Sequence, residues 1–221
     1  MAIHIGIDLG TSGCRAIAID AKGRVLGQQR ESLPPSKKCN GRSEQNPEDW
    51  WQATQAVLCS LIPAIPAEEI ETITVDGTSS TLLLADHGGT PLTPALMYDD
   101  HRAVPEAKMI SSVAPRDSGA HGPSSSLAKL LWLLKNSITS TSPEALALHQ
   151  ADWISNRLCS NFGHSDENNS LKMGYDPLQR RWPEWIGKIG LPPSVLTTGA
   201  PPGTPYATLR TELAELWGAP T

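Results

Sequence analysis

The chain of 221 residues has no paired cysteine spacing, no excess of positive charge, no membrane-length apolar run and none of the common nucleotide-loop signatures. Its four cysteines, Cys14, Cys39, Cys59 and Cys159, form no Cys-x-x-Cys unit and do not pair with histidine, so a disulfide framework or a metal centre is not expected. Free thiols are expected instead, with Cys59 as a small buried group on a helix. A net charge of −5 argues against nucleic acid as the main partner, and Lys37, Lys38 and Arg42 read as a short, solvated basic patch. No segment is long and apolar enough to span a membrane, and Met1 leads into a strand pattern rather than a signal peptide, so a cytoplasmic protein is expected. There is no Gly-x-x-x-x-Gly-Lys-Ser/Thr loop and no Gly-x-Gly-x-x-Gly fingerprint. Neither Gly10-Thr11-Ser12-Gly13-Cys14 nor Gly77-Thr78-Ser79-Ser80-Thr81 closes with the glycine of a nucleophile elbow. The six histidines are scattered without metal spacing, and no internal repeat is visible.

The opening segment carries the chemistry. His4-Ile5-Gly6-Ile7-Asp8-Leu9 is an apolar strand pattern that delivers one carboxylate into the small residues Gly10-Thr11-Ser12-Gly13. Backbone N–H groups in such a turn can curl around an anion, so the arrangement suits a phosphate with its Mg²⁺. Cys14–Asp20 and Arg24–Gln28 read as two further strands joined by a tight turn at Gly23, which places the acidic turn inside a β-hairpin. The alternative is a plain hairpin in which Asp8 caps its own loop.

A helix is expected from Asn46. Asn is a good N-cap, Pro47 suits the first helical position, and Glu48 and Asp49 favour the positive end of the helix dipole. Trp50, Val57, Leu58 and Leu61 fall at helical spacing, so the tryptophans read as core anchors rather than ligand contacts. Further helices are expected near 125–136, 143–160 and 207–217, and strands near 70–75, 81–85 and 95–98. The last helix would put Leu209, Leu213, Leu216 and Trp217 on one side, and the proline-rich stretch 191–205 reads as irregular. Asn136 to Ser142 reads as a short Ser/Thr-rich loop. A single α/β core is enough for this length and for an apolar fraction of 39%.

The Asp8-Leu9-Gly10-Thr11-Ser12-Gly13 hairpin resembles the first phosphate motif of the sugar kinase, actin and Hsp70 superfamily. With Glu44-Gln45-Asn46-Pro47-Glu48-Asp49-Trp50-Trp51 downstream, the chain is similar to the amino-terminal domain of the FGGY carbohydrate kinases. Asp76-Gly77-Thr78-Ser79-Ser80, Tyr98-Asp99-Asp100-His101-Arg102, Ser124–Leu133, Gln150–Ile154 and Ser165–Asp176 extend the resemblance over essentially all 221 residues. It implies an actin-like, ribonuclease H-like α/β domain with a mixed sheet and flanking helices, one half of a two-domain, ATP-dependent kinase. Asp8 would hold Mg²⁺ through water, with no protein cation to satisfy its charge in the metal-free state. Thr11 and the Gly10, Ser12 and Gly13 groups would line the path of the phosphoryl group. Asp76 and Ser79 would meet the sugar, with Asp100 and Lys172 behind them. For Asp76 a carboxylate capping its own loop is the alternative, and for Lys172 a surface ion pair.

The resemblance also bears on substrate. Xylulose kinases usually carry Gln-Met-His-Gly where this chain has Gly77-Thr78-Ser79-Ser80. The Asp-Gly-Thr-Ser loop, Gln150-Ala151-Asp152-Trp153 and the Asn169–Tyr175 segment look more like plant and cyanobacterial pentulose kinases acting on D-ribulose, so D-ribulose is favoured and D-xylulose comes next. The helix-start segment 44–51 pulls towards xylulose kinases. The family's catalytic base and ATP-binding second domain would lie beyond Thr221, so the chain is expected to be inactive alone. The competing expectation is a non-catalytic sugar-sensing or partner-binding module that keeps the fold.

Overall fold

The structure is a computed structural model that describes residues 2–137 and 144–221. It opens with β1 (Ile3–Leu9), β2 (Gly13–Asp20) and β3 (Val25–Ser32), followed by β4 (Lys37–Cys39), β5 (Arg42–Gln45) and α1 (Pro47–Leu61). Next come β6 (Ile70–Gly77), β7 (Leu82–Ala85), β8 (Ala95–Leu96), α2 (Val104–Ser111) and α3 (Ser126–Ser137). The remainder holds β9 (Leu146–His149), α4 (Gln150–Cys159), β10 (His164–Asp166), α5 (Glu167–Ser170), β11 (Thr198–Ala200) and α6 (Thr211–Trp217).

Two sheets organise the chain. The first has the order β3-β2-β1-β6, with β1 antiparallel to β2 and parallel to β6. Alternation decides its faces: Ile3, Ile5, Ile7 and Leu9 of β1 are buried with Cys14, Ala16 and Ala18 of β2, while Asp8, Arg15 and Ile17 lie on the open face. The second sheet, β4-β5-β8-β7-β9, is antiparallel. Its β7 is buried on both faces, which is why Leu82-Leu83-Leu84-Ala85 reads as an unbroken apolar run. Leu83 and Ala85 join the core shared with the first sheet, α1, α4 and α6. Leu82 and Leu84 join a second core with α2, α3 and the 3-10 turns Glu184–Ile189 and Pro193–Val195.

The helix at Asn46 forms as its caps dictate. The Asn46 side chain accepts from Glu48 N–H at 3.3 Å, and Trp50, Trp51, Val57, Leu58 and Leu61 face the core. Turn chemistry also holds at Gly23, whose φ of +76° suits glycine. A different constraint acts at Gly13, where a Cβ would sit 2.7 Å from the Glu31 carbonyl oxygen. Only a bare backbone lets β2 and β3 approach there.

Several expectations are corrected. The helix expected over 143–160 divides at His149 into β9 and α4, because Leu146–Leu148 pair with Leu83–Ala85 of β7 before the helix begins. Residue 143, and 138–142 of the expected Ser/Thr loop, lie outside the described residues, while Asn136 and Ser137 still belong to α3. The irregular stretch 191–205 contains β11, which runs parallel to β10. The last helix starts at Thr211 rather than 207, and Leu216 points to water at 64% exposure while Leu213 and Trp217 are buried. Cys59 is exposed rather than buried, although its sulfur accepts the Trp217 indole N–H at 3.3 Å.

Candidate functional site

Asp8 and Asp76 are register partners at the carboxyl ends of the parallel strands β1 and β6. Paired positions of a parallel ladder share a face, so the two exposed carboxylates stand side by side on the open face of the first sheet. The turn 10–13 and the loop 77–80 leave the sheet from the same end. Asp8 is not without a cation: Arg15, its partner across β2, places Nε 3.4 Å from the Asp8 carboxylate. Both side chains are more than half exposed, at 71% and 55%, so water screens the pair and it stabilises the hairpin little. Asp76 accepts the N–H of Gly77 at 2.8 Å, which is the loop-capping contact of the plainer reading.

The turn after Asp8 is short and closed, with Gly10 N–H donating to Gly13 O at 2.9 Å. Thr11 and Ser12 are exposed at its tip. Its rigidity comes from β5. Gln45 donates through Nε2 to the carbonyls of Thr11 at 2.9 Å and Pro34 at 3.0 Å, and its Oε1 accepts the indole N–H of buried Trp50 at 2.9 Å. The Glu-Gln-x-Pro-x-x-Trp segment therefore braces the acidic turn. Reading Trp50 as a core anchor was sound but missed this role, for which the separation of 34 residues between Thr11 and Gln45 left no local signal.

The second loop is held from beneath. Thr78 donates its N–H to Gln150 Oε1 at 2.9 Å and its hydroxyl to the same oxygen at 2.5 Å, at the start of α4. Gly77 packs so closely on α4 that a Cβ would meet the Ala151 nitrogen at 3.2 Å. Ser80 is buried in the left-handed region at φ +67°, and its carbonyl accepts from the Lys129 ammonium at 2.8 Å. Ser79, between these two anchored residues, is exposed.

Asp100 lies beneath this place rather than open to it, and Lys172 stands on a separate turn. Asp100 is fully buried. Its carboxylate accepts the Ser43 N–H at 2.7 Å and Arg102 at 2.7 Å and 3.0 Å, while Arg102 also pairs with Glu44 at 2.7 Å and lies over the Trp132 ring. The aromatic-x-Asp-x-Arg segment thus buries an ion pair whose oxygens are already satisfied, leaving none for a sugar. Lys172 is exposed on the 3-10 turn Leu171–Met173, which packs on α3. The basic patch is not wholly solvated either, since Lys38 pairs with Asp99 at 2.7 Å. Burial would raise the Asp99 carboxyl, but hydrogen bonds from Lys38 and Ser43 together with the Lys38 charge outweigh it and hold it below its usual value.

Two buried polar groups lie in segments that extend the resemblance, with roles the sequence does not assign. Lys129 on α3 is inaccessible and donates to both Ser80 O and Met97 O, at 2.8 and 2.7 Å. Burial pushes its ammonium down to about 8, against the pull of Asp100 and Asp99. Asp152 accepts from the His149 N–H at 3.1 Å, Ser165 at 2.9 Å and Asn169 at 2.8 Å, and faces His149 Nδ1, whose other ring nitrogen meets Ser126 at 2.9 Å. A buried Ser126 is no nucleophile for an outside substrate, so this Ser-His-Asp row is a junction that ties α3, α4, β10 and α5 together.

Phosphate and magnesium chemistry fits the residues present. Mg²⁺ keeps most of its waters and takes one or two carboxylates plus phosphate oxygens. Asp8 and Asp76 supply such oxygens, and Thr11 and Ser12 supply adjacent hydroxyls. No helix among the described residues is long and apolar enough to cross a membrane.

Comparison with known proteins bears on the family and the fold. The xylulose kinase of Escherichia coli is 28% identical over 184 residues, covering 81% of this chain and 38% of its own length. That of Klebsiella pneumoniae is 26% identical over 223 residues, covering 99% of this chain and 46% of its own. The crystal structure of a Brucella ovis protein titled xyloylose kinase superposes with a TM-score of 0.87 at 27% identity, over 99% of this chain and 46% of that one. The Plasmodium falciparum glycerol kinase with ADP shares the fold, with a TM-score of 0.81 at 18% identity. The mixed α/β architecture is therefore the actin-like, ribonuclease H-like fold of these sugar kinases. The chain spans less than half the length of these relatives. The family description "FGGY family of carbohydrate kinases, N-terminal domain" matches residues 3–221, and the chain belongs to that family.

Proposed function

We propose that this chain forms the sugar- and phosphate-facing half of an ATP-dependent ketopentose kinase, with D-ribulose preferred to D-xylulose. The observation that carries the reading is the convergence of the Asp8 turn and the Ser79 loop at the carboxyl ends of adjacent parallel strands. A phosphoryl group and an acceptor hydroxyl must meet in line, and the protein's work is positioning and charge neutralisation. Bound Mg²⁺ would supply that neutralisation, with Asp8 holding it through water and Asp76 alongside. Gly10, Thr11, Ser12 and Gly13 would orient the moving group, and Ser79 would donate to or accept from a sugar hydroxyl. Asp100 and Lys172 have no direct part in this reading.

The ribulose preference rests on the Gly77–Ser80 loop, where xylulose kinases usually place a histidine. The xylulose kinase relatives favour the other ketose. ATP, the catalytic base and the rest of the cleft would come from a second domain, and this polypeptide alone would turn over no ATP. Calorimetry with D-ribulose and D-xylulose tests the sugar half, with tighter D-ribulose binding expected. Ketose-dependent ADP release is then measured for the chain alone and mixed with a separately expressed C-terminal half of a xylulose kinase. Activity only in the mixture supports the reading, whereas absence of binding to either ketose overturns it. The protein is expected in the cytoplasm, acting on a small soluble sugar.

A further inference from the structure

We propose that Lys129 is the positioning residue of the sugar site: one buried ammonium that bridges the Ser80 and Met97 carbonyls and so fixes the loop 76–81 against the segment 97–102. The proposal rests on the ketopentose reading above for its functional meaning, and on geometry for the clamp itself.

Three observations support it. First, Lys129 reaches both segments at once, 49 and 32 residues away in sequence, and adds a side-chain tie beyond the Leu82–Leu96 strand pairing next to them. Second, the carbonyl it takes from the loop belongs to Ser80, whose backbone sits at φ +67°, a conformation that a non-glycine residue holds only when its surroundings determine it. Third, the loop is anchored on its other flank by Gln150, which accepts from Thr78. Ser79 is the residue left exposed between the two anchors.

Why an ammonium stands there follows from the neighbours. The buried Ser80 carbonyl needs a donor, the Met97 carbonyl takes the ammonium as a second donor beside the Asp100 N–H at 2.9 Å, and water is excluded because Ser80, Thr81, Met97 and Lys129 are all buried. A long side chain rising from α3 reaches both oxygens at once. Asp100, which pairs with Arg102 three residues beyond Met97, supplies compensating negative charge nearby.

Hydrogen exchange with mass spectrometry on the full chain tests the clamp. In Lys129→Met, peptides spanning 76–82 and 95–101 are expected to exchange at least tenfold faster, with those of β1 and β2 unchanged. Wild-type exchange in both loops, or a loss spread evenly over all peptides, overturns the clamp. Should Lys129→Met fail to fold, Lys129→Gln keeps donors for a single carbonyl and carries the same expectation at smaller amplitude. Calorimetry with D-ribulose reads the function: at least tenfold weaker binding is expected in the variant, and unchanged affinity overturns the positioning role. If the wild-type chain binds neither D-ribulose nor D-xylulose, the ketopentose reading fails, and the exchange result still decides the clamp.

Discussion

The two loops that meet at the ends of β1 and β6 are built in opposite ways. At the Gly10–Gly13 turn the charged groups, Asp8 and Arg15, stand in water, and a neutral amide, Gln45, supplies the bracing. At the Thr78–Ser80 loop the exposed residue is a neutral hydroxyl, and charge lies underneath in Lys129, with Asp100 and Arg102 beyond it. Charge kept in water remains available to a metal or an anion and contributes little to folding. Charge taken inside is unavailable to a ligand, and removing one partner leaves the other desolvated. Substitutions should therefore separate activity from stability at the first loop and merge them at the second.

The largest effect on that contrast is expected at Asp100. Asp100→Ala leaves Arg102 with Glu44 and takes the acceptor from Ser43 N–H, so urea unfolding should show a loss of about 3–5 kcal/mol, typical of a broken buried pair. A loss below about 1 kcal/mol would show that the pair is better hydrated than its burial indicates.

Asp8→Asn probes the other side. In a complete two-domain kinase it should lower turnover by about 100-fold or more, as loss of preorganised charge does. The unfolding free energy should change by no more than about 1 kcal/mol, because only a screened pair with Arg15 is removed. A destabilised but active variant would invert the comparison and make Asp8 a structural cap.

Proton linkage at Lys129 sharpens it further. Its folded value of about 8 lies below the ordinary 10.5, so between these the unfolded chain binds a proton that the folded chain does not. Stability should accordingly rise with pH across this window on account of Lys129. Cys14, which burial pushes up to about 11, works in the opposite direction above its ordinary 9.0. The readout is thus the difference between wild type and Lys129→Met, which should diverge from about pH 8 upward in paired urea titrations. Parallel pH curves would remove the buried charge from the account.

The smallest effect belongs to Ser79. Ser79→Ala should weaken ketose binding by about 1 kcal/mol, the net value of one neutral hydrogen bond, with the melting temperature unmoved. Unchanged affinity would take Ser79 out of the site.

Local signals made much of this legible. The caps around Asn46, the alternation in β1 and the glycine turn at 23 are each written within a few residues, and the structure follows them. What depended on distant partners was not. Lys129 lies in the Ser124–Leu133 segment, which extends the family resemblance without assigning the lysine a partner, and the carbonyls of Ser80 and Met97 explain its burial. Asp100 has the same difficulty in reverse, since a carboxylate two residues before an arginine reads as a ligand until both are found inside. Leu146–His149 reads as the start of a helix because leucine and alanine suit either state, and pairing with β7 makes it a strand.

Gln45 joins three things with one side chain: the acidic turn, the β3–β4 connection at Pro34 and the indole of Trp50. Both its amide hydrogens and its oxygen are engaged, so nothing of similar size can replace it without loss. Glutamate has no hydrogens to give, methionine has neither group, and asparagine is one carbon short. Exchange at this position therefore costs at least one of these hydrogen bonds. Any protein that changed it would have to rebuild the hairpin tip from another direction.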